Sequence, residues 1–254
     1  MDDSIKDIFE NGNWYHTFQF HDAKSKGTYD FSKVINKIPF ESFKNMSVLD
    51  VGCSDGYFSK YFIENLEAKE VTGVDFNSYD GSVNFDVISN LKEEQEKKHR
   101  SHNDYEKLKH SYIALGLNSS NKFLLIKKIF NLNLNFKSGS IYDLSNIPNH
   151  DIVFCGSLLE HLRDPITAIE ELYFKTSKLC YIDVSNPFEK FKFLKLPILK
   201  YSGASGHFFR YSEKSVSIMM EKIGFKNVRV ISKYKIINQK HKTYTKHFVI
   251  LGEK

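Results

Sequence analysis

Seven consecutive residues, Asp50-Val51-Gly52-Cys53-Ser54-Asp55-Gly56, carry the clearest chemistry in the chain. Gly52 and Gly56 let the backbone turn tightly and let a ligand come close. A helix starting just behind them would offer unpaired N–H groups and the positive end of its dipole. Such a turn can hold a dinucleotide pyrophosphate, whose fingerprint is G-x-G-x-x-G. The spacing here is G-x-x-x-G, and an acid beside the turn would repel a pyrophosphate. Asp50 and Asp55 suit a ligand with a cationic part. Asp75 follows 25 positions after Asp50, at the end of another apolar run, where an acid can accept hydrogen bonds from both hydroxyls of a ribose. The ligand so described carries a ribose and an amine but no pyrophosphate. S-adenosylmethionine, with its adenosine, sulfonium and amino-acid tail, fits that description.

The flanking pattern places these residues on regular elements. Val48 to Val51 is a short β-branched run ended by glycine, which reads as a buried strand. From Tyr57 onward, Phe58, Tyr61, Phe62 and Leu66 recur at helical spacing. VTGVDF (71–76) reads as a second strand. Later strands are expected at LNFKSG (134–139), DIVFCG (151–156), LCYIDV (179–184), VRVIS (228–232) and HFVILG (247–252). Helices are expected in DPITAIEELYFKTS and in SEKSVSIMMEKIGF, the latter capped at Ser212 and stopped at Gly224. Strands alternating with helices predict a parallel, doubly wound α/β sheet. The last two strands lack a helix between them, which predicts an antiparallel pair. Three stretches exceed the repeat: residues 1–45, an insertion at 78–132 expected to be helical, and an aromatic, basic insertion at 186–211.

The ordered motifs resemble class I S-adenosylmethionine-dependent methyltransferases over about residues 46–252. VLDVGCSDGYFS resembles their first motif, with Ser54 where a glycine often stands, and VTGVDF resembles the second. GSIYDL (139–144) resembles the third, DIVFCGSLLEHLRDP (151–165) the fourth, and HFFRYSEKSVSIMMEKIGF the late segment leading into the final helix. The resemblance implies a Rossmann-like, seven-stranded sheet with its last strand antiparallel, and a domain at 46–254 preceded by an N-terminal helical or loop cap. It implies Asp50 and Gly52 near the methionine part of the cofactor, Asp75 on the ribose, Asp143 at the adenine amino group and Ile141 or Tyr142 near the ring. Cys53, Ser54, Gly56, Phe76 and Ser157 complete the expected cofactor-binding set. The opening segment NGNWYHTFQFHDAKSKGTYD resembles the branch containing tRNA wobble-uridine carboxymethyltransferases and many small-molecule methyltransferases. There the segment before the first strand folds over the cofactor, which nominates Trp14 and Tyr29 as contacts.

Methyl transfer to oxygen needs positioning, exclusion of water and usually a base. His161, just past strand four, His207, in a glycine-flanked loop, and His16, beside Trp14, are the candidate bases. Packing or capping is the plain alternative for each. Arg210 can pair with an anionic acceptor; Glu160 and Tyr211 complete the substrate-side set. His99 and His102 lack accompanying cysteines or carboxylates, so no metal is expected. Phe188, Phe191 and Phe193 alternate with lysines, which fits an amphipathic lid better than a nucleic-acid strip.

The 254 residues suffice for one large α/β domain with additions. No window is apolar enough for a membrane span, and the N-terminus lacks a signal-peptide pattern. Cys53, Cys155 and Cys180 read as reduced thiols, which predicts a cytoplasmic setting. The net charge of +5 rests on lysine, with arginine only at Arg100, Arg163, Arg210 and Arg229. Readers of bases and phosphates favour arginine forks, so nucleic acid is possible but not favoured as a partner. The expected activity is methylation of a hydroxyl on a small polar acceptor, such as a sugar or phosphorylated surface-glycan precursor, giving S-adenosylhomocysteine. The rivals are a tRNA-modifying enzyme and a non-catalytic binding protein; the complete set of motif acids opposes the second.

Overall fold

In the computed structural model, residues 6, 9–75, 119–188, 196–204 and 207–254 are described. Phe76 and most of the 78–132 insertion lie outside them, as do residues 189–195.

A nine-stranded sheet organises the chain. Its parallel half contains β5 (Ser47–Val51), β6 (Glu70–Asp75), β7 (Leu134–Ser138), β8 (His150–Gly156) and β9 (Thr176–Ser185). Two long strands, β12 (Lys226–Asn238) and β13 (Thr243–Glu253), form an antiparallel pair. The last strand, β13, also runs antiparallel to β9. Four short strands precede β5: β1 (Trp14–His16), β2 (Gln19–Phe20), β3 (Ala23–Lys24) and β4 (Gly27–Tyr29). The order across the sheet is β1-β4-β12-β13-β9-β8-β5-β6-β7. Seven of these strands match the expected sheet, including its antiparallel last strand. The other two correct the expectation of a helical or loop cap: β1 and β4 extend the sheet at the β12 edge. Their three-residue length is why no period announced them.

Helices α1 (Tyr57–Leu66), α2 (Ser119–Phe130), α3 (Pro165–Lys175) and α4 (Glu213–Ile223) cover the two faces. Asp164 caps α3 by accepting from the Ile166 and Thr167 amides, with Pro165 in the first turn. Ser212 caps α4 and Gly224 ends it, as expected. One core packs α3 and α4 on the sheet through residues such as Ile169, Leu172, Val216 and Met220. The opposite core packs α1 and the short turns at Phe31–Ile38 around Phe58, Phe62, Phe154 and Tyr181. The 186–211 insertion contains a hairpin of β10 (Leu199–Ala204) and β11 (His207–Tyr211); Phe191 and Phe193 of the expected amphipathic lid lie outside the described residues. No described helix is long and apolar enough to cross a membrane.

Candidate functional site

The turn after β5 is built as its glycines require. Gly52 has φ of 79°, and a Cβ there would stand 3.0 Å from the Leu158 side chain. Its amide donates to the Val74 carbonyl at 2.8 Å. Ser54 also takes a positive φ, 51°, so the cost of serine at that position lies in its backbone rather than its size. The Ser54 amide donates to Asp75 Oδ2 at 2.6 Å, which ties the end of β6 to the turn.

A cavity of about 410 Å³ opens here, at the C-terminal ends of β5, β8 and β9. At one end stand Asp50, Gly52, Cys53 and Ser54. Gly156 and Ser157 follow from β8 and Glu160 and His161 from the turn behind it. Ser185, His207, Arg210 and His247 form the far side, while Tyr15, His16, Thr28 and Tyr29 come from the N-terminal strands. A site of this size at this edge of an open α/β sheet suits a small ligand.

Each charged group has an identifiable environment. Asp50 is buried and accepts from Ser59 Oγ at 2.6 Å. Burial pushes its carboxyl up to about 7, against smaller lowering effects from Ser59 and His16. Burial and then Asp50 raise the Cys53 thiol well above its ordinary value, so it stays a protonated, apolar wall. Burial, His161 and Arg210 together push His207 down to about 4; its ring lies 4.5 Å from that of His161. Arg210 donates to Ser185 Oγ at 3.4 Å. The Glu160 side chain is 3% exposed, and its Oε2 has no partner among the described residues.

Asp55 does not face a ligand. Its Oδ2 accepts from the Tyr15 amide at 2.9 Å and the His16 amide at 2.8 Å, and Oδ1 lies 2.5 Å from His16 Nδ1. It clamps β1 onto the glycine turn. The His16 ring is packed among Phe31, Tyr57 and Phe58.

Several expected contacts lie elsewhere. Trp14 does not close over the cavity. It is 1% exposed and packs edge-on to Phe9 and Phe18 in a small core with Ala23 and Ile126. Its neighbours Tyr15 and His16 take the wall position instead. Tyr29 does line the cavity and its hydroxyl accepts from Asn238 Nδ2 at 3.2 Å. Gly56 starts α1 and faces Phe123, where a Cβ would come within 2.9 Å. Ile141 is buried in the sheet core. The Tyr142 hydroxyl accepts from the Arg163 and Asp164 amides. Asp143 is exposed and accepts from the Ser145 amide at 3.1 Å. None of the last three lines the cavity, because the turn joining Ser140 to Asp143 sends Ile141 inward and occupies the other two. Tyr211 is fully buried and donates to the Leu159 carbonyl at 3.1 Å, so it props the turn bearing Glu160 and His161.

Two residues escaped sequence reasoning. Asp183, at the end of β9, and His247, on β13, are joined at the far wall. The signal was present: Asp183 interrupts the buried run LCYIDV as Asp50 interrupts VLDV. Among the described residues, no group of three or more metal-ligating side chains could hold an ion.

The residues fit S-adenosylmethionine, with a buried carboxylate at the glycine turn for its ammonium and a polar remainder for an acceptor; the Asp75 carboxylate expected at the ribose stands at the end of β6, outside the cavity lining, and accepts from the Ser54 amide. A family model described as a methyltransferase domain matches residues 20–230. A tRNA U34 carboxymethyltransferase of Campylobacter fetus is 26% identical over 209 residues, 81% of this chain. The chain spans 60% of that relative's length. Among solved structures, the N-terminal domain of EvdMO1, crystallised in the presence of SAH and D-fucose, superposes with a TM-score of 0.62 at 14% identity, covering 100% of this chain and 97% of the other. The 1,6-didemethyltoxoflavin-N1-methyltransferase of Burkholderia thailandensis, bound to 1,6-didemethyltoxoflavin and S-adenosylhomocysteine, gives 0.51 at 12% identity, covering 83% and 72%.

Proposed function

The chain belongs to this family of methyltransferase domains, and from that premise we propose that it is an S-adenosylmethionine-dependent enzyme that methylates a hydroxyl of a small polar acceptor such as a sugar or sugar phosphate, in a cytoplasmic setting. The observation that carries this reading is the cavity of about 410 Å³, walled by N-terminal strands on one side and by histidines and buried carboxylates on the other. The bound donor supplies an electrophilic methyl on a sulfonium. In this reading Asp50 holds the donor's ammonium, Asp75 its ribose hydroxyls, and Gly52 leaves room for its tail. Tyr15, Tyr29 and the β10–β11 hairpin exclude water, and Arg210 receives an anionic substituent of the acceptor.

Release of S-adenosylhomocysteine on incubation with a panel of neutral hexoses, 6-deoxyhexoses and their phosphates tests the acceptor class. Turnover of at least one is the expected result. Turnover of unmodified tRNA alone would transfer the assignment to the RNA reading, which the name of the curated relative supports. That reading also requires RNA binding that weakens steeply with salt.

Asp50 makes the donor's affinity pH-dependent. In the free protein burial holds it near 7, and an ammonium partner would require it ionised. S-adenosylhomocysteine is therefore expected to bind about tenfold more tightly at pH 8 than at pH 6, by proton linkage. Calorimetry in two buffers of different ionisation enthalpy should also detect proton release. For the unliganded fold the sign is opposite. The folded value lies above the unfolded one, so this group's contribution to stability falls as pH rises from the ordinary carboxylate range to about 7.

A further inference from the structure

The far wall of the cavity contains a second aspartate–histidine pair, separate from the Asp55–His16 clamp. Asp183 is 1% exposed. Its Oδ2 accepts from Ser157 Oγ at 3.1 Å and from the Tyr234 hydroxyl at 2.9 Å, and lies 3.3 Å from His247 Nδ1. Its Oδ1 has no partner among the described residues. The His247 ring stacks on Tyr234, with centroids 5.1 Å apart and planes 15° apart. Cross-strand pairing with Ser185 sets His247 at the same sheet edge as Ser157. Both Ser157 and His247 line the cavity. With Nδ1 turned to a carboxylate, which can only accept, the proton sits on Nδ1. Nε2 is then the ring's acceptor, and it has no partner among the described residues. Glu160 adds a buried, unpartnered carboxylate oxygen to the same cavity. A ligand that fits these groups brings hydrogen-bond donors, as a polyol does.

Building on the methyltransferase reading above, we propose that His247 is the general base that takes the acceptor's hydroxyl proton, with Asp183 as its positioning residue and Glu160 accepting from a second donor of the acceptor. In the step, the acceptor O–H bond breaks and its proton passes to His247 Nε2. The oxygen lone pair forms the new O–CH₃ bond, and the C–S bonding pair stays on sulfur, which becomes the neutral thioether. Asp183 stabilises the imidazolium left behind. The groups beside His247 are Asp183 on β9, Tyr234 on β12 and Glu160 after β8, with Arg210 of β11 on its cross-strand partner Ser185 and Lys37, Lys233, Lys235 and Lys246 around a second cavity that His247 also lines. Burial alone would depress the imidazole, but the charge and hydrogen bond of Asp183, and then Glu160, hold it above the ordinary histidine value. That places it nearer the working range of a base than His207, which is held far below neutrality. His16 has its Nδ1 on a carboxylate too, but Asp55 also holds two backbone amides there and serves as a clamp.

The test has two arms. Nitrogen-15 NMR of the S-adenosylhomocysteine complex should find His247 with Nδ1 protonated and Nε2 bare. Its titration should fall above that of a free histidine and move down in Asp183→Asn. In the second arm, His247→Asn keeps a donor toward Asp183 while removing Nε2. It should bind S-adenosylhomocysteine like the parent yet lose about 100-fold or more in turnover of the sugar panel, the range for a general base. A proton on Nε2, or parental turnover in His247→Asn, overturns the assignment. If the parent turns over nothing in the panel, the acceptor proposal fails separately. The NMR arm then decides: the tautomer and the Asp183-dependent titration support the base, and their absence overturns it. Should Asp183→Asn fail to fold, Tyr234→Phe, which removes a competing donor from the same oxygen, should move the His247 titration up, and an unmoved titration overturns the pairing.

Discussion

Asp55→Ala is expected to lower the melting temperature by roughly 6 to 20 °C, from about 3–5 kcal/mol for breaking a buried pair and about 2–4 °C per kcal/mol at this size. Asp55 is fully buried and satisfies three donors of the β1 strand at once: the Tyr15 and His16 amides and the His16 ring. Alanine removes every acceptor and leaves these donors facing a space that no side chain refills. Besides the packing of Trp14 and the His16 ring, the strand pairings that hold β1 are few. It pairs with β4 through Trp14 with Gly27 and His16 with Tyr29, and β4 meets β12 through the single pair Asn238 with Tyr29. Limited proteolysis should therefore cut first between the N-terminus and β5 in the variant, and S-adenosylhomocysteine affinity should fall with it. Asp55→Asn keeps one acceptor for the amides and should lose less than half as much. A variant that melts within 2 °C of the parent, by the same scale, would show that the clamp contributes nothing.

The clamp also shows what could be read in advance. The glycine turn, Asp50 and Asp75 were legible because a buried strand, two glycines and a terminal acid lie within one local pattern. The helices α3 and α4 were legible because a capping residue and an apolar stripe coincide with a stop. The N-terminal strands were not. A three-residue strand has no measurable period, and what holds it is an aspartate 39 positions away. Asp55 itself was read as ligand-facing, since sequence distinguishes neither the two sides of a turn nor the partner waiting there. Trp14 was misplaced for a related reason: its size and neighbourhood suit a lid and a core equally, and the choice rests on Phe9, Phe18 and Ile126 meeting it. The Asp183–His247 pair spans 64 positions between adjacent antiparallel strands. Only the pairing of β9 with β13 brings the two together, and that pairing follows from the last strand entering the sheet between β9 and β12.

Asp75→Ala is expected to weaken S-adenosylhomocysteine binding by about 100-fold or more. Two charge-assisted hydrogen bonds from a ribose are worth about 1.5–3 kcal/mol each, and 1.4 kcal/mol is tenfold in affinity. Asp75 stands at the last position of β6, paired in register with Ser138 of β7. It is half-buried, unlike Asp50, so its removal leaves no desolvated charge and opens no core cavity. Within the turn it accepts from the Ser54 amide at 2.6 Å. That contact holds the carboxylate at a fixed angle and aligns the backbone where Ser54 adopts its left-handed conformation. Asp75→Asn separates the two roles. It retains an oxygen for the Ser54 amide but replaces one ribose acceptor by a donor, and should still lose about tenfold or more in affinity. Isothermal calorimetry with S-adenosylhomocysteine measures both variants, and adenosine, which shares the ribose but lacks the amino-acid tail, should lose binding in parallel. If Asp75→Ala binds S-adenosylhomocysteine as the parent does, the ribose is held elsewhere and the placement of the donor along β5 and β6 is wrong.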